Sequence, residues 1–206
     1  DVCSSDLLPM LLLLLAGCAF VDRDVQLDYA AKPREEKAAA GETAEKGIAE
    51  ASMTRFPVAA IRTVSDLRVD KQHVGEVRNG FGMHTADVHT KSDCSTWIRK
   101  ALTTELRRAG FVVTDDPSRA ELLVDAEVVS VHCTATFSYS GDIILNATAT
   151  RDGTQVAGRR YAGSGSAGVN WSATENAFAE TLDLALQDAV LQFVREIRTG
   201  KPPKPE

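Results

Sequence analysis

The sequence predicts an α+β fold, a two-layer sandwich in which a mixed, mainly antiparallel sheet carries two helices on one face. Residues 95–109 and 173–198 each show a single apolar stripe at helical spacing, so each helix buries one side. Short segments of strand-like composition lie before and between them, in the order strand, helix, strands, helix. The strand–helix–strand crossover predicts parallel strands, and the later hairpins predict antiparallel ones.

The composition is that of a globular protein. The chain has 206 residues, of which 44% are hydrophobic and 25% charged, with a net charge of −6. This length accommodates one domain of about 150 residues and additional segments. No run of five basic residues occurs, so the charge pattern does not indicate a protein that neutralises phosphates. We expect no nucleic-acid partner.

The first helix is predicted by its stripe and by its ends. Asp93 or Ser92 is placed to cap its N-terminus, and Gly110 follows its C-terminus. Glu105 is the one charged residue within the stripe. The stripe consists of Cys94, Ile98, Ala101, Leu102, Glu105 and Ala109, with Leu106 beside it.

The second helix, over 173–198, has the capping-box pattern Ser172-Ala-Thr-Glu175 at its start. At 1.5 Å per residue it is about 39 Å long, enough to cross a sheet. Its stripe consists of Phe178, Leu182, Ala185, Leu186, Ala189, Phe193 and Ile197.

The strands are predicted from alternating or apolar runs, and Asp152-Gly153 predicts a two-residue hairpin turn. Residues 66–92 are polar and contain three glycines, so we expect a long loop there. Together the elements predict a single globular domain over 56–198. The predicted strands are residues 25–29, 56–64, 111–113, 121–131, 137–139, 142–151 and 154–162.

Residues 163–168, Gly-Ser-Gly-Ser-Ala-Gly, match the dinucleotide-binding pattern G-x-G-x-x-G. The preceding strand belongs to a hairpin, however, and Asp188, about twenty residues later, lies inside the long helix. We therefore expect no cofactor, and we expect these glycines to end the last strand.

Residues 7–18 carry the features of a secretory signal, a leucine-rich run that ends in small residues. Leu15-Ala-Gly-Cys18 resembles a bacterial lipobox, in which the cysteine is diacylated on sulfur and becomes the mature N-terminus. A signal peptide normally begins with a positively charged segment, but residues 1–17 contain no Lys or Arg. Residues 1–7 resemble a translated sequencing adapter that would have replaced that segment. We therefore assign the signal peptide to residues 1–17 and base no inference on residues 1–7. A buried helix that ends in cysteine is the alternative.

Diacylated Cys18 predicts stable attachment to a membrane, because two acyl chains hold a protein where one binds only marginally. Ala19 after the cysteine resembles the default for sorting to the outer membrane. The expected location is therefore the bacterial outer membrane, facing the periplasm. Residues 18–55 would comprise the anchor, a short strand and a tether rich in Ala, Glu and Lys over 30–52, and residues 199–206 a disordered tail.

Cys94 and Cys133 are the two cysteines left once Cys3 and Cys18 are set aside. An oxidising compartment allows a disulfide between them. A buried free thiol is the preferred alternative, because Cys94 falls on an apolar helix face.

Zinc-ligand residue types occur at His84, His89, Asp93 and Cys94, but their spacing fits no compact ligand pattern. We expect no metal site. The sequence also contains no catalytic signature such as G-x-S-x-G or H-E-x-x-H, so we expect no enzyme.

The candidate partner contacts are Arg78, Asn79, Phe81 and Trp171. Phe81 lies between two glycines with Arg78 and Asn79 nearby, and Trp171 lies just ahead of the second helix. Exposed aromatic residues beside Arg are common in interface hot spots. The alternative, which we slightly prefer, is that Phe81 and Trp171 fold back over the edge of the core.

The pattern of residues 74–88, the Trp97 helix, the strand that ends at His132-Cys133 and residues 161–171 together resemble the YajG-like lipoprotein family. The resemblance covers about 56–198 and the lipobox. Members are lipoproteins without an established activity, so the resemblance supports a location and a fold more than a function.

These observations predict a lipid-anchored, non-enzymatic cell-envelope protein that acts as a periplasmic binding or adaptor module with an envelope protein partner. An alternative is an accessory lipoprotein of an envelope lipid-transport or assembly machine, which predicts a lipid ligand and an apolar groove between helices and sheet. A hydrolase whose site is assembled from distant residues is a third.

Overall fold

The computed structural model describes residues 21–33, 57–169 and 173–200. These residues form a mixed sheet of eight strands with two helices packed against it. The predicted α+β class is confirmed. The elements are β1 (Arg23–Asp24), β2 (Val58–Asp66), β3 (His73–Arg78), β4 (His84–His89), α1 (Cys94–Arg108), β5 (Val112–Thr114), β6 (Leu122–Ala135), β7 (Ser138–Arg151), β8 (Thr154–Val169) and α2 (Glu175–Thr199).

The centre of the sheet is β6, which pairs with three strands. Its first half lies parallel to β2, its last residues lie parallel to β3, and β7 runs antiparallel along its other side. The sheet continues from β3 to β4 and β1 and from β7 to β8, while β5 pairs in parallel with β2. The predicted parallel crossover through the first helix and the antiparallel hairpins are therefore both present.

Helix α1 begins and ends as its sequence indicates. The Asp93 carboxylate accepts hydrogen bonds from the backbone N–H groups of Ser95 and Thr96. Gly110, after the last turn, has φ of 92°. A glycine adopts this conformation without the steric cost that a Cβ would add.

Helix α2 begins at Glu175 with Thr174 at the N-cap position. This differs from the predicted capping box, which requires Glu175 in the third helical position. Ser172 lies outside the described residues. The helix extends through Thr199, one residue beyond the predicted end, and Gly200 caps it with φ of 64°.

The prediction that residues 163–168 end the last strand is wrong, because β8 continues to Val169. The glycines instead allow α2 to pack directly on the strand. A Cβ at Gly163 would lie 2.1 Å from the carbonyl oxygen of Ala185, and one at Gly165 would lie 2.4 Å from that of Thr181. Small residues are needed here because helix backbone occupies the space of a side chain.

The prediction of a loop over 66–92 is also wrong, because β3 and β4 form a hairpin there. Both strands bury small or β-branched residues on one side and expose polar residues on the other. In β3 a register shift between His73 and Gly75 interrupts the alternation that would mark a strand, whereas β4 alternates but has only two apolar residues. The buried residues are Val74, Gly75, Val77, Ala86 and Val88.

The N-terminal strap, residues 23–32, lies along the domain as an ordered segment. Beyond β1 the strap is not a strand, although Val25, Leu27 and Tyr29 are buried in alternation as the strand prediction for 25–29 expected. Residues 30–33 also belong to the described part, so the expected tether over 30–52 does not start at Ala30. Residues 34–56 lie outside the described residues.

Buried carboxylates on both helices hold the strap. Asp183 accepts hydrogen bonds from the backbone N–H of Ala30, at 3.0 Å, and from Nε1 of Trp97, at 2.8 Å. Glu105, the charged member of the α1 stripe, accepts one from the Tyr29 hydroxyl. Desolvation by burial raises the pKa of Asp183 above its ordinary value. The strap, α1 and α2 are therefore joined at one polar junction inside the core.

Candidate interaction site

The turn between β3 and β4 presents Phe81 to solvent. Oδ1 of Asn79 accepts hydrogen bonds from the backbone N–H groups of Phe81 and Met83, both at 3.0 Å. The Arg78 guanidinium donates to the carbonyl oxygen of Gly82 at 2.9 Å. Arg78 and Asn79 thus hold the turn in shape, and the Phe81 side chain is 91% exposed. The preferred alternative, that Phe81 folds back over the core, is wrong.

An ion pair supports the same turn from the strand below it. Nε of Arg78 lies 2.7 Å from Oε1 of Glu76. This hydrogen bond, with the positive charge of Arg78, holds the pKa of Glu76 below its ordinary value. Glu76 therefore stays ionised at neutral pH and orients the guanidinium toward the turn.

A second turn, between β6 and β7, meets the first one. Phe137 is 70% exposed, and a Cβ added to Gly80 would lie 2.9 Å from the end of its ring. Met83 is 60% exposed on the same turn as Phe81. We call Phe81, Met83 and Phe137 the apolar tip of the sheet. Exposed apolar side chains grouped in this way are a feature of interaction surfaces.

Sequence reasoning singled out Phe81 but missed Met83 and Phe137. The sequence predicts Phe137 within a strand, whereas it is the turn residue between β6 and β7. The available signal was its position between Thr136 and Ser138, two polar residues that flank an isolated large apolar one.

Two predicted site residues, Cys18 and Trp171, lie outside the described residues. The last residue of β8, Val169, pairs with Ser138, which is the neighbour of Phe137. The chain therefore reaches the apolar tip two residues before Trp171.

The residue types considered for zinc do not converge. Asp93 caps α1, and Sγ of Cys94 is buried and accepts a hydrogen bond from Arg68 at 3.0 Å. His84 and His89 lie on β4 instead. Within the described residues, no group of three or more His, Cys, Asp or Glu side chains is arranged to hold a metal ion.

All four histidines of the chain lie on neighbouring strands, β3, β4 and β6. The Asp87 carboxylate lies 3.0 Å from Nε2 of His84 and 3.3 Å from Nε2 of His73. The hydrogen bond from His84 lowers the pKa of Asp87. The cluster is a hydrogen-bonded polar surface below the apolar tip.

Two clefts lie on the helical side of the domain. One, of about 390 Å³, is lined by residues of the strap, the β4–α1 connection and the start of α2. The other, of about 430 Å³, lies between the ends of α1 and α2 and is lined by Glu105, Arg108, Arg195 and Arg198 among others. Charged groups in both linings make them unlike the apolar groove that a lipid-transport accessory would need.

A family of proteins described as uncharacterised lipoproteins matches residues 58–197, which cover β2 through α2. This chain belongs to that family. No curated protein sequence matches the lipoprotein.

The lipoprotein also resembles solved structures. One is a Xanthomonas campestris protein that carries the family designation DUF330, with a TM-score of 0.50 and 14% identity over 87% of this chain and 96% of that one. A minor lipoprotein from Acinetobacter baumannii has a TM-score of 0.39 and 10% identity, over 69% and 92% of the two chains. A hypothetical protein from Chlamydia trachomatis has a TM-score of 0.42 and 12% identity, over 70% and 94%. At these identities the likeness concerns the fold alone.

Membership of a lipoprotein family implies attachment to a membrane through lipid. In residues 21–33, 57–169 and 173–200, no helix combines the length and the apolar character that crossing a bilayer requires.

Proposed function

We propose that this lipoprotein is anchored by acyl chains on Cys18 and acts, without catalysis, as a periplasmic binding or adaptor module of the bacterial cell envelope. Within the lipoprotein family, we propose that the chain is a YajG-like member. Because Ala19 follows the lipidated cysteine, we also propose that it lies at the outer membrane and faces the periplasm. An envelope protein is its expected partner.

The observation that carries the proposal is the short connection between Cys18 and the folded domain. The strap begins at Arg23 and is bound to both helices, and Oδ1 of the preceding Asp22 accepts a hydrogen bond from the backbone N–H of Asp87, so only residues 19–21 separate the anchor from packed structure. The four Cα–Cα steps from Cys18 to Asp22 span at most about 14 Å. An acylated Cys18 would therefore hold the domain against the membrane, a geometry suited to positioning a partner at the membrane surface.

The strap supports this geometry by its hydrogen bonds to the rest of the domain. The backbone N–H of Val25 donates to the carbonyl oxygen of His89 at 2.8 Å, and the hydroxyl of Thr90 donates to the carbonyl oxygen of Val25 at 2.7 Å. The backbone N–H of Leu27 donates to Oγ of Ser92 at 3.0 Å. These contacts attach the strap to the end of β4 and to the residues just before α1. The segment nearest the anchor is therefore a fixed part of the domain.

The anchor is tested by membrane fractionation of cells that express the wild type or Cys18→Ala. Mass spectrometry of the purified proteins then shows whether each is acylated. We expect the wild type in the outer-membrane fraction with acyl mass, and Cys18→Ala released without it. Persistent membrane association of Cys18→Ala would overturn the anchor.

The adaptor role is tested by crosslinking in intact cells followed by capture from detergent-solubilised membranes. We expect a stoichiometric envelope protein with the wild type and its loss with Cys18→Ala. Recovery of lipid alone would favour the transport accessory, and turnover of a substrate by the purified chain would overturn the non-enzymatic role.

A further inference from the structure

The apolar tip exposes three large side chains, Phe81, Met83 and Phe137, on two turns that touch at Gly80. The two turns, residues 79–83 and 136–138, contain no acidic residue. The Arg78 guanidinium donates a hydrogen bond to the first turn and Oδ1 of Asn79 accepts two from its backbone, and together they fix the turn with its apolar side chains outward. This exposure is therefore part of the folded structure, and it favours an environment less polar than water.

The direction of the strap shows where the anchor lies. β1 runs parallel to β4, with Arg23 opposite Val88. The chain consequently enters β1, through Val21 and Asp22, from the side of the first residue of β4, His84, which follows the turn that carries Phe81 and Met83. A 3.0 Å hydrogen bond from the backbone N–H of Asp87 to Oδ1 of Asp22 continues this path.

The chain that precedes Val21 is long enough for an anchor on Cys18 to reach the level of the tip. Three Cα–Cα steps lead from Val21 back to Cys18, a distance of at most about 11 Å. The parallel register continued back from Arg23 and Val88 places Val21 level with Ala86, and three steps of extended chain from Ala86 back to Met83 cover about 10 Å. Acyl chains on Cys18 are therefore within reach of the end of the sheet that carries the apolar tip.

We propose that the apolar tip inserts into the headgroup region of the bilayer that holds the acyl chains of Cys18. The inference rests on the proposed function, because it requires the anchor. Phe81, Met83 and Phe137 bury apolar surface at the acyl boundary, while Arg78 remains at headgroup level, where its guanidinium can contact lipid phosphates. The lipoprotein thereby has a second attachment that fixes its orientation.

This orientation places the other end of the domain far from the membrane. β7 runs from Ser138, at the tip, to Arg151 at the opposite end, and at about 3.3 Å per residue its 14 residues span about 46 Å. The hairpin turn at Asp152-Gly153 would then project into the periplasm and be available to a partner.

The depth of the tip is measured with a fluorescent probe on the full acylated chain, reconstituted in vesicles of phosphatidylethanolamine and phosphatidylglycerol. Phe81→Cys carries an environment-sensitive fluorophore, and Thr154→Cys, exposed at the opposite turn, is the matched control. We expect blue-shifted emission and quenching by headgroup-labelled lipid at position 81 only. Equal exposure of both probes to aqueous iodide would overturn the inference.

A second measurement uses variants without a probe. Phe81→Ser combined with Phe137→Ser is compared with Leu67→Ser combined with Val69→Ser, which removes exposed apolar side chains from the β2–β3 connection. We expect the tip variant to transfer between vesicles at least about tenfold faster than wild type, and the control to transfer at the wild-type rate. Equal rates for the two variants would overturn the inference.

The two proposals fail in different ways. A purified chain without acyl mass on Cys18 overturns the anchor and the inference together. An acylated chain that stays on the vesicles while the probe at position 81 remains in water overturns the inference alone.

Discussion

The phenol of Tyr29 donates a 2.6 Å hydrogen bond to Oε1 of Glu105, and both side chains are buried although 76 residues separate them. This bond explains the one charged residue in the apolar stripe of α1. Burial and the neighbouring carboxylate raise the pKa of Tyr29, so its hydroxyl stays protonated and remains a donor. Gln187, on α2, lies 3.4 Å from the same oxygen. The strap and both helices therefore meet at the Glu105 carboxylate.

Tyr29→Phe should destabilise the domain, because it removes the shortest hydrogen bond to Glu105 and keeps the ring. We expect the free energy of unfolding in urea to fall by about 1–3 kcal/mol. Asp28→Asn is the control, since the Asp28–Lys100 pair is exposed and should contribute under about 1 kcal/mol. Equal losses for the two variants would show that the strap is not held through Glu105.

The three glycines of the G-x-G-x-x-G segment should respond differently to alanine. At Gly163 and Gly165 a Cβ would meet the backbone of α2, so we expect each alanine variant to lose about 3 kcal/mol or more of unfolding free energy. At Gly168 no atom lies within 4 Å of the added Cβ, and alanine should change stability by less than about 0.5 kcal/mol. Thermal melts compare the three variants, and equal effects would contradict packing as the role of this segment.

The helices and the β7–β8 hairpin could be predicted from local sequence, because their signals lie within a few residues. The apolar stripes recur at helical spacing, and Asp152-Gly153 adopts the positive φ values, 49° and 76°, that the predicted turn requires. The β3–β4 hairpin gives a weaker signal, because a register shift in β3 places the buried residues Val74 and Gly75 next to each other, and β4, although it alternates, has only Ala86 and Val88 as apolar residues.

Only part of the candidate site could be predicted from the sequence, for a similar reason. Phe81 stands out between Gly80 and Gly82, but its exposure depends on the hydrogen bond that its backbone N–H donates to Oδ1 of Asn79, which only the folded turn reveals. Phe137 reaches the tip because β3 and β6 are paired in parallel, with Val77 opposite Ala135. Long-range pairing of this kind leaves no local signal.

The Asp66–Arg68 pair should make the stability of the domain sensitive to acid. Both side chains are over 90% buried, and their closest atoms lie 2.8 Å apart. Burial alone would raise the pKa of Asp66, but hydrogen bonds from the side chain and backbone of Arg68 outweigh it and lower that pKa below 3.8. An acid with a lowered folded pKa stabilises the protein above its unfolded pKa, and this contribution is lost as the pH falls through the folded value.

Urea unfolding at pH 7 and at pH values below 4 should therefore show a smaller acid-induced loss in Asp66→Asn than in the wild type. Arg68→Leu leaves a buried carboxylate without its partner, and we expect a loss of about 3–5 kcal/mol at pH 7. Asp24→Asn, which removes an exposed pair with Lys91, is the control and should follow the wild-type pH profile. An acid dependence in Asp66→Asn as steep as in wild type would contradict the assignment.

The thiols of Cys94 and Cys133 should be free but unreactive in the folded protein. Burial raises the pKa of Cys94 to about 11 and that of Cys133 to about 12, so at pH 8 about one thiol in a thousand or fewer is ionised. We expect a thiol reagent to modify neither residue of the acylated chain until urea unfolds it, and then to modify both without prior reduction. Phe81→Cys is the control, because an exposed thiol at the tip should react at once in the folded chain. If the mass of the unfolded chain shows alkylation of Cys94 and Cys133 only after a reductant is added, the two residues form a disulfide, which is the alternative that the sequence allows.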